Sequence, residues 1–162
     1  MPESTAQDTL VGQLNSRPLL RLRGLVGPAF EVGTVGGARR RIVPITGGDF
    51  EGDRLRGQVV PFGADWMHIR EDGVLEVDVR ALLRTDDDAL IYLRYGGYRH
   101  GPADVMASLA RGEDVDPAAY YFRVTPTFET GASRYAWLNN IIAVGVGRKN
   151  PEGPVYDFFE VL

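Results

Sequence analysis

The feature that most constrains this chain is a two-residue alternation of apolar and charged side chains beside the dipeptide Asp72-Gly73. From Val74 to Leu83, Leu75, Val77 and Val79 share one parity, and Glu76, Asp78 and Arg80 share the other. A period of two is the period of a strand with one face buried. Asp-Gly supplies the backbone freedom of a tight hairpin turn. The same grammar recurs along the chain. Strands are predicted over 18–26, 29–35, 40–45, 55–60, 66–70, 89–98, 120–129, 137–146 and 155–161. Turns are predicted at Gly27-Pro28, Gly36-Gly37, Gly47-Gly48, Asp86–Asp88 and Asn150–Gly153. Pro61 and Gly63 predict a bent or bulged edge. One segment breaks the pattern: Val105, Met106, Leu109 and Ala110 have helical spacing, between Pro102 and Gly112.

Consecutive strands with short connections and one short helix favour an antiparallel meander over a parallel sheet. A sheet this large gains by closing, because closure removes exposed edges. The expected fold is all-β: a single closed antiparallel up-and-down β-barrel with one short helix. A two-sheet sandwich is the alternative. Residues 1–17 are polar and read as a flexible N-terminal arm, with residues 18–162 as the barrel domain.

Composition narrows the chemistry. The 162 residues contain no cysteine, which excludes disulfides and thiolate sites and suits a cytoplasmic location. A formal net charge of −4 argues against non-specific nucleic-acid binding. Residues 1–13 hold no basic residue and no apolar run, so no signal peptide is expected, and no apolar stretch is long enough to span a membrane as a helix. The cations are 17 arginines and a single lysine, Lys149. Biased base composition explains this; so does selective use of guanidinium forks for carboxylates or phenolates. No serine-hydrolase elbow, P-loop or dinucleotide fingerprint is present. Two histidines, His68 and His100, are too few for an ordinary metal site, so no metal and no cofactor are expected.

Several strands carry a polar parity. In 121–129, Tyr121, Arg123, Thr125, Thr127 and Glu129 alternate with Phe122, Val124, Pro126 and Phe128. Arg80 and the pair Trp137 and Asn139 belong to similar rows. In a barrel these rows either face water or gather inside as a lined cavity, where each charge needs a partner. In the second case, Asp65 beside Trp66, after the Gly63-Ala64 bend, is an acid placed for partial desolvation and a raised pKa. Tyr121 would donate to an enolate or phenolate oxygen.

Taken in order, Arg40–Pro44, Gly47–Gly52, Gly63–Trp66, Arg84–Asp87, Gly97–Arg99, Tyr121–Arg123, Phe128–Thr130 and Trp137–Asn139 resemble the family called domain of unknown function 3237. The likeness runs from about residue 18 to the C-terminus. It implies a closed β-barrel and small-molecule chemistry of aromatic and secondary metabolism. It places Asp65, Trp66, Arg123, Glu129, Trp137 and Asn139 on motif positions, and Arg41 lies in the first of its segments.

The resulting expectation is a cofactor-independent lyase, decarboxylase, isomerase or cyclase acting on a small aromatic or unsaturated organic acid. Asp65, Glu129 and Tyr121 form the expected catalytic set. Arg123, Arg80, Trp66, Trp137, Asn139 and Arg41 form the expected substrate-binding set. A non-catalytic small-molecule-binding barrel needs the same cavity without a shifted acid. The expected partner is a small organic acid rather than nucleic acid or membrane. The arm and any open edge would also support a homodimer.

Overall fold

The computed structural model describes residues 11–162. It forms ten strands: β1 Ser16–Val26, β2 Phe30–Val35, β3 Ala38–Glu51, β4 Arg56–Asp65, β5 His68–Ile69, β6 Leu75–Thr85, β7 Leu90–His100, β8 Tyr121–Glu129, β9 Ile142–Asn150 and β10 Gly153–Val161. One helix, α1 (Ala103–Ala110), joins β7 to β8, and a 3-10 segment, Ser133–Asn140, joins β8 to β9. The strands pair antiparallel in the order β1-β10-β9-β8-β7-β6-β4-β3. Pairing of β1 with β3 then closes an eight-stranded barrel. β2 and β5 are additions to it, with β2 on β3 and β5 bridging β3 and β6. Among the described residues no helix is long and apolar enough to cross a membrane.

The alternation read from sequence sets which face is inward. On β6, Leu75, Val77, Val79, Ala81 and Leu83 are buried, while Arg80 and Arg84 are exposed. The lumen is filled by rings, not water. Tyr95 meets Tyr156 edge-on at 4.9 Å, Phe122 meets Tyr156 at 5.3 Å, and Phe128 meets Phe158 at 6.2 Å. These rings fit because β9 presents glycine opposite them. A Cβ at Gly147 would lie 2.7 Å from the Phe122 ring, and one at Gly145 would lie 2.6 Å from Val124 and 2.7 Å from Phe158.

The two ends of the barrel differ. At the end where β7 and β9 begin, buried Leu55, Tyr135 and Leu138 close an apolar floor. Asp87 braces that floor, accepting hydrogen bonds from Thr85 Oγ1 and the Tyr135 hydroxyl at 2.6 Å each, and from Arg134 at 2.9 Å. At the opposite end, α1 packs over the lumen through Leu109, Val105 and Met106.

Several local expectations change. Gly47-Gly48 is not a turn: β3 runs through it, and Gly48 is required because a side chain would collide with the Arg23 carbonyl on β1. The Pro61–Gly63 irregularity is a register shift between Val59 and Gly63, but β4 lies between β3 and β6 and is not an edge. The strand expected from Trp137 begins only at Ile142, because Ser133–Asn140 coils to place Tyr135 and Leu138 in the floor. The arm expected over 1–17 falls largely on residues outside those described, and β1 begins at Ser16.

Candidate functional site

The end covered by α1 is where polar side chains enter the lumen. It is formed by the last residues of β4 and β7, the first residues of β6, β8 and β10, and the end of β9. Parity decides which residues point in. On β7 the inward row Ile91, Leu93, Tyr95 continues through Gly97 to Arg99. On β9 the inward row Ala143, Gly145, Gly147 continues to Lys149. Arg41 shares the parity of Val43 and Ile45, which line the lumen. Asp65 is paired with inward Val79 on β6. The strand ends therefore deliver Arg41, Asp65, Arg99 and Lys149 to this end, where Tyr95 and Tyr156 line a cavity together with Asp65.

Asp65 lines a small cavity of about 30 Å3, walled mainly by apolar side chains together with Tyr95 and Tyr156. That volume admits about two water-sized groups. It suits the reacting end of a molecule rather than a whole organic acid. Gly24, Val26 and Pro154 also border it. The Asp65 carboxylate keeps one fixed partner: the Asp78 N–H donates to Oδ1 at 3.0 Å. Burial pushes the Asp65 pKa up to about 6, against the opposing pull of the Asp78 N–H and the charges of Arg99 and Arg40. The acid therefore changes protonation near neutrality, as proton-transfer groups must.

Several cations surround it, and two of them keep an unpartnered Nε among the described residues. Arg99 is largely buried, and its Nε has no hydrogen-bond partner. Burial pulls its pKa down, opposed by Tyr156, Tyr120 and Asp65. Arg41 Nε lies 2.6 Å from Glu31 Oε1 without the alignment of a hydrogen bond. Arg40 donates to the Trp66 carbonyl and ties β3 to the β4–β5 connection. Lys149 Nζ donates to the Leu109 carbonyl of α1 at 2.6 Å, and its backbone N–H donates to the Tyr120 hydroxyl at 3.0 Å. Burial raises the pKa of both Tyr95 and Tyr156, so both phenols remain donors across the physiological range. This lumen end holds more guanidinium and ammonium than carboxylate, an arrangement that can hold an anion.

Of the residues singled out from sequence, the fold brings Asp65 and Arg41 to this end. Trp66 follows Asp65 but lies on the outside, with the Arg80 guanidinium 5.5 Å from its ring centroid. The polar rows do not converge inward. Arg80, Tyr121, Arg123 and Glu129 all face outward, and Phe122, Val124, Pro126 and Phe128 take the lumen. The reason is energetic: an apolar parity was available, and burying the charged one would have required a partner for every charge. Tyr121, 45% exposed, stacks on His100 at 4.9 Å and lies 5.2 Å from the Arg123 guanidinium. Trp137 and Asn139 belong to the opposite end. Trp137 is covered by Arg54 at 3.8 Å, and Asn139 clips the Thr130 N–H and carbonyl at 2.8 and 2.9 Å.

Tyr156 carries no motif; Arg99 lies in the Gly97–Arg99 segment and Lys149 is the single lysine, but neither is assigned to the site from sequence. Their signal is positional: a cation continuing an inward row at the end of a strand, as in Tyr95-x-Gly97-x-Arg99 and Gly145-x-Gly147-x-Lys149.

Known proteins share this chain's sequence and fold. The family model described as "Protein of unknown function (DUF3237)" matches residues 14–161. A UPF0311 protein of Rhodopseudomonas palustris is 38% identical over 149 residues, 92% of this chain and 97% of its own. Its crystal structure, described as a conserved protein of unknown function, superposes with a TM-score of 0.91 over 94% of this chain and 100% of the other. A β-barrel-like protein from Acinetobacter baumannii is 42% identical with a TM-score of 0.83, covering 95% and 99% of the two chains. A structure described as an enzyme from Penicillium herquei shares the fold at a TM-score of 0.73 and 21% identity, covering 95% and 98%.

Proposed function

We propose that this chain, which belongs to the DUF3237 family of proteins of unknown function, is a cofactor-independent acid–base enzyme for a small aromatic or unsaturated organic acid. The observation that carries this reading is the Asp65 carboxyl group, which lines a lumen cavity, is pushed by burial to a pKa of about 6 and feels the charge of the Arg99 guanidinium. Arg99, with Arg41, holds the substrate carboxylate. Asp65 takes a proton from, or returns one to, a carbon of the unsaturated system. Tyr156 and Tyr95 donate to the oxygen on which charge develops, a role that burial favours by keeping them protonated. Decarboxylation, double-bond migration and ring closure by addition all use these parts.

The cavity accepts only the reacting end of such a molecule, so the rest of the ligand lies at the rim near Gly24 and Pro154. A panel of aromatic and unsaturated acids screened by thermal shift, with hits followed for turnover, tests the reading. The expected result is stabilisation by an organic acid, conversion of it by the wild type, and a rate lower by roughly 100-fold or more in Asp65→Asn with binding retained. Ligands that bind and are returned unchanged by the wild type would make the protein a binding barrel instead.

A further inference from the structure

Lys149 is the chain's single lysine, and it lies half-buried at the end of the inward row of β9. A lysine on a barrel strand ordinarily points to water, and its ammonium is held by carboxylates. Here the charges acting on it, among the described residues, are two guanidiniums, Arg99 on β7 and Arg41 on β3, and no carboxylate. Its nitrogen is fixed by one hydrogen bond, to the Leu109 carbonyl under α1. A carbonyl accepts a hydrogen bond from a neutral amine as well as from an ammonium. The nitrogen thus stays positioned when it loses its charge, and a lone pair remains free. Burial and the two neighbouring guanidiniums lower the Lys149 pKa, which favours that neutral form. Desolvation beside other cations is how an amine is made nucleophilic near neutral pH.

We propose that Lys149 is a covalent, imine-forming residue and that the ligand class is an oxo acid, a carboxylate bearing a ketone or aldehyde carbonyl. The nitrogen lone pair attacks the carbonyl carbon, and a C–N bond forms. The carbonyl C–O bond breaks, and the oxygen leaves as water carrying two protons. Ammonium and ketone become iminium and water, with charge and atoms conserved and no oxidant or metal consumed. The iminium withdraws electrons from the neighbouring carbon, where Arg99 and Arg41 hold the carboxylate. The acid half of this ligand rests on the anion-binding role given to Arg99 above; the carbonyl half rests on Lys149 alone.

Borohydride trapping separates the two halves. The full-length protein is incubated at neutral pH with pyruvate, acetoacetate or acetone and reduced, and peptides are mapped by mass spectrometry. The expected result is a stable secondary amine on Lys149, formed roughly 10-fold or more faster than on Nα-acetyl-lysine, as expected for an amine whose pKa burial and two guanidiniums lower. It should form preferentially with the two oxo acids and be lost from that peptide in Lys149→Arg. Because the wild-type adduct is located by peptide, the result does not depend on the variant folding. An adduct confined to the N-terminal amine, or none, overturns the nucleophile. Equal trapping of acetone and the oxo acids overturns the acid half while leaving Asp65's role untouched.

Discussion

Replacing Asp65 with asparagine should make the protein more stable at neutral pH and less sensitive to pH. Burial raises the Asp65 pKa from 3.8 to about 6. The neutral acid is therefore the form the fold prefers. Its contribution to stability is fully present below pH 3.8 and is lost as pH rises through 6. At about 1.36 kcal/mol per pH unit, the ionised carboxylate costs the fold about 3 kcal/mol above pH 7. Asparagine keeps the oxygen that accepts from the Asp78 N–H and carries no charge to desolvate. Urea denaturation of wild type and variant from pH 4 to 8 reads the effect. The two should be close at pH 4 and diverge by up to about 3 kcal/mol in favour of the variant by pH 8, the trade of stability for function expected at an active site. A variant that is less stable at pH 8, or a difference that does not change with pH, would refute the burial argument.

Other consequences follow from the same coordinates. Gly147→Ala drives a methyl group into the Phe122 ring, which is 2.7 Å from the position of that carbon; a loss of about 1–3 kcal/mol in unfolding free energy is expected from chemical denaturation. Asp87 is held near a pKa of 2 by Thr85, Tyr135 and Arg134, so it stabilises the fold above its unfolded pKa and this is lost as pH falls toward 2; Asp87→Asn should flatten the acid limb of a stability–pH curve. Arg99→Gln should weaken organic-acid binding by roughly 10-fold or more, read by isothermal titration, as expected for removal of a charge-assisted hydrogen bond. Arg123→Ala and Glu129→Gln, on the outer wall, should leave it unchanged.

The architecture was legible in sequence because its signals are local. The alternation of 74–83, the Asp72-Gly73 turn and the helical spacing of 105–110 each report on contacts a few residues away, and the structure bears them out as β6, the β5–β6 hairpin and α1. Gly47-Gly48 misleads as a turn because the need for glycine there comes from β1, distant in the chain. The candidate site was only partly legible. Asp65 could be singled out because a carboxylate beside an indole after a glycine bend is a local anomaly. The facing of Tyr121, Arg123 and Glu129 is a global choice between two parities. It went to Phe122, Val124 and Phe128 because an apolar row is the cheaper one to bury. The inward position of Arg99 and Lys149 emerges only once closure of the sheet fixes which parity is inward at the strand ends, and that depends on the pairing of β1 with β3.

Burial of Asp65 at the α1 end of the barrel places a carboxylic acid where it exchanges a proton near neutrality. A carbon-13 NMR titration of the Asp65 side-chain carboxyl, assigned through Asp65→Asn, measures this directly. The expected midpoint is about 6. A midpoint at or below about 4, the ordinary aspartate range, would mean an ionised group held by Arg99 and would contradict it.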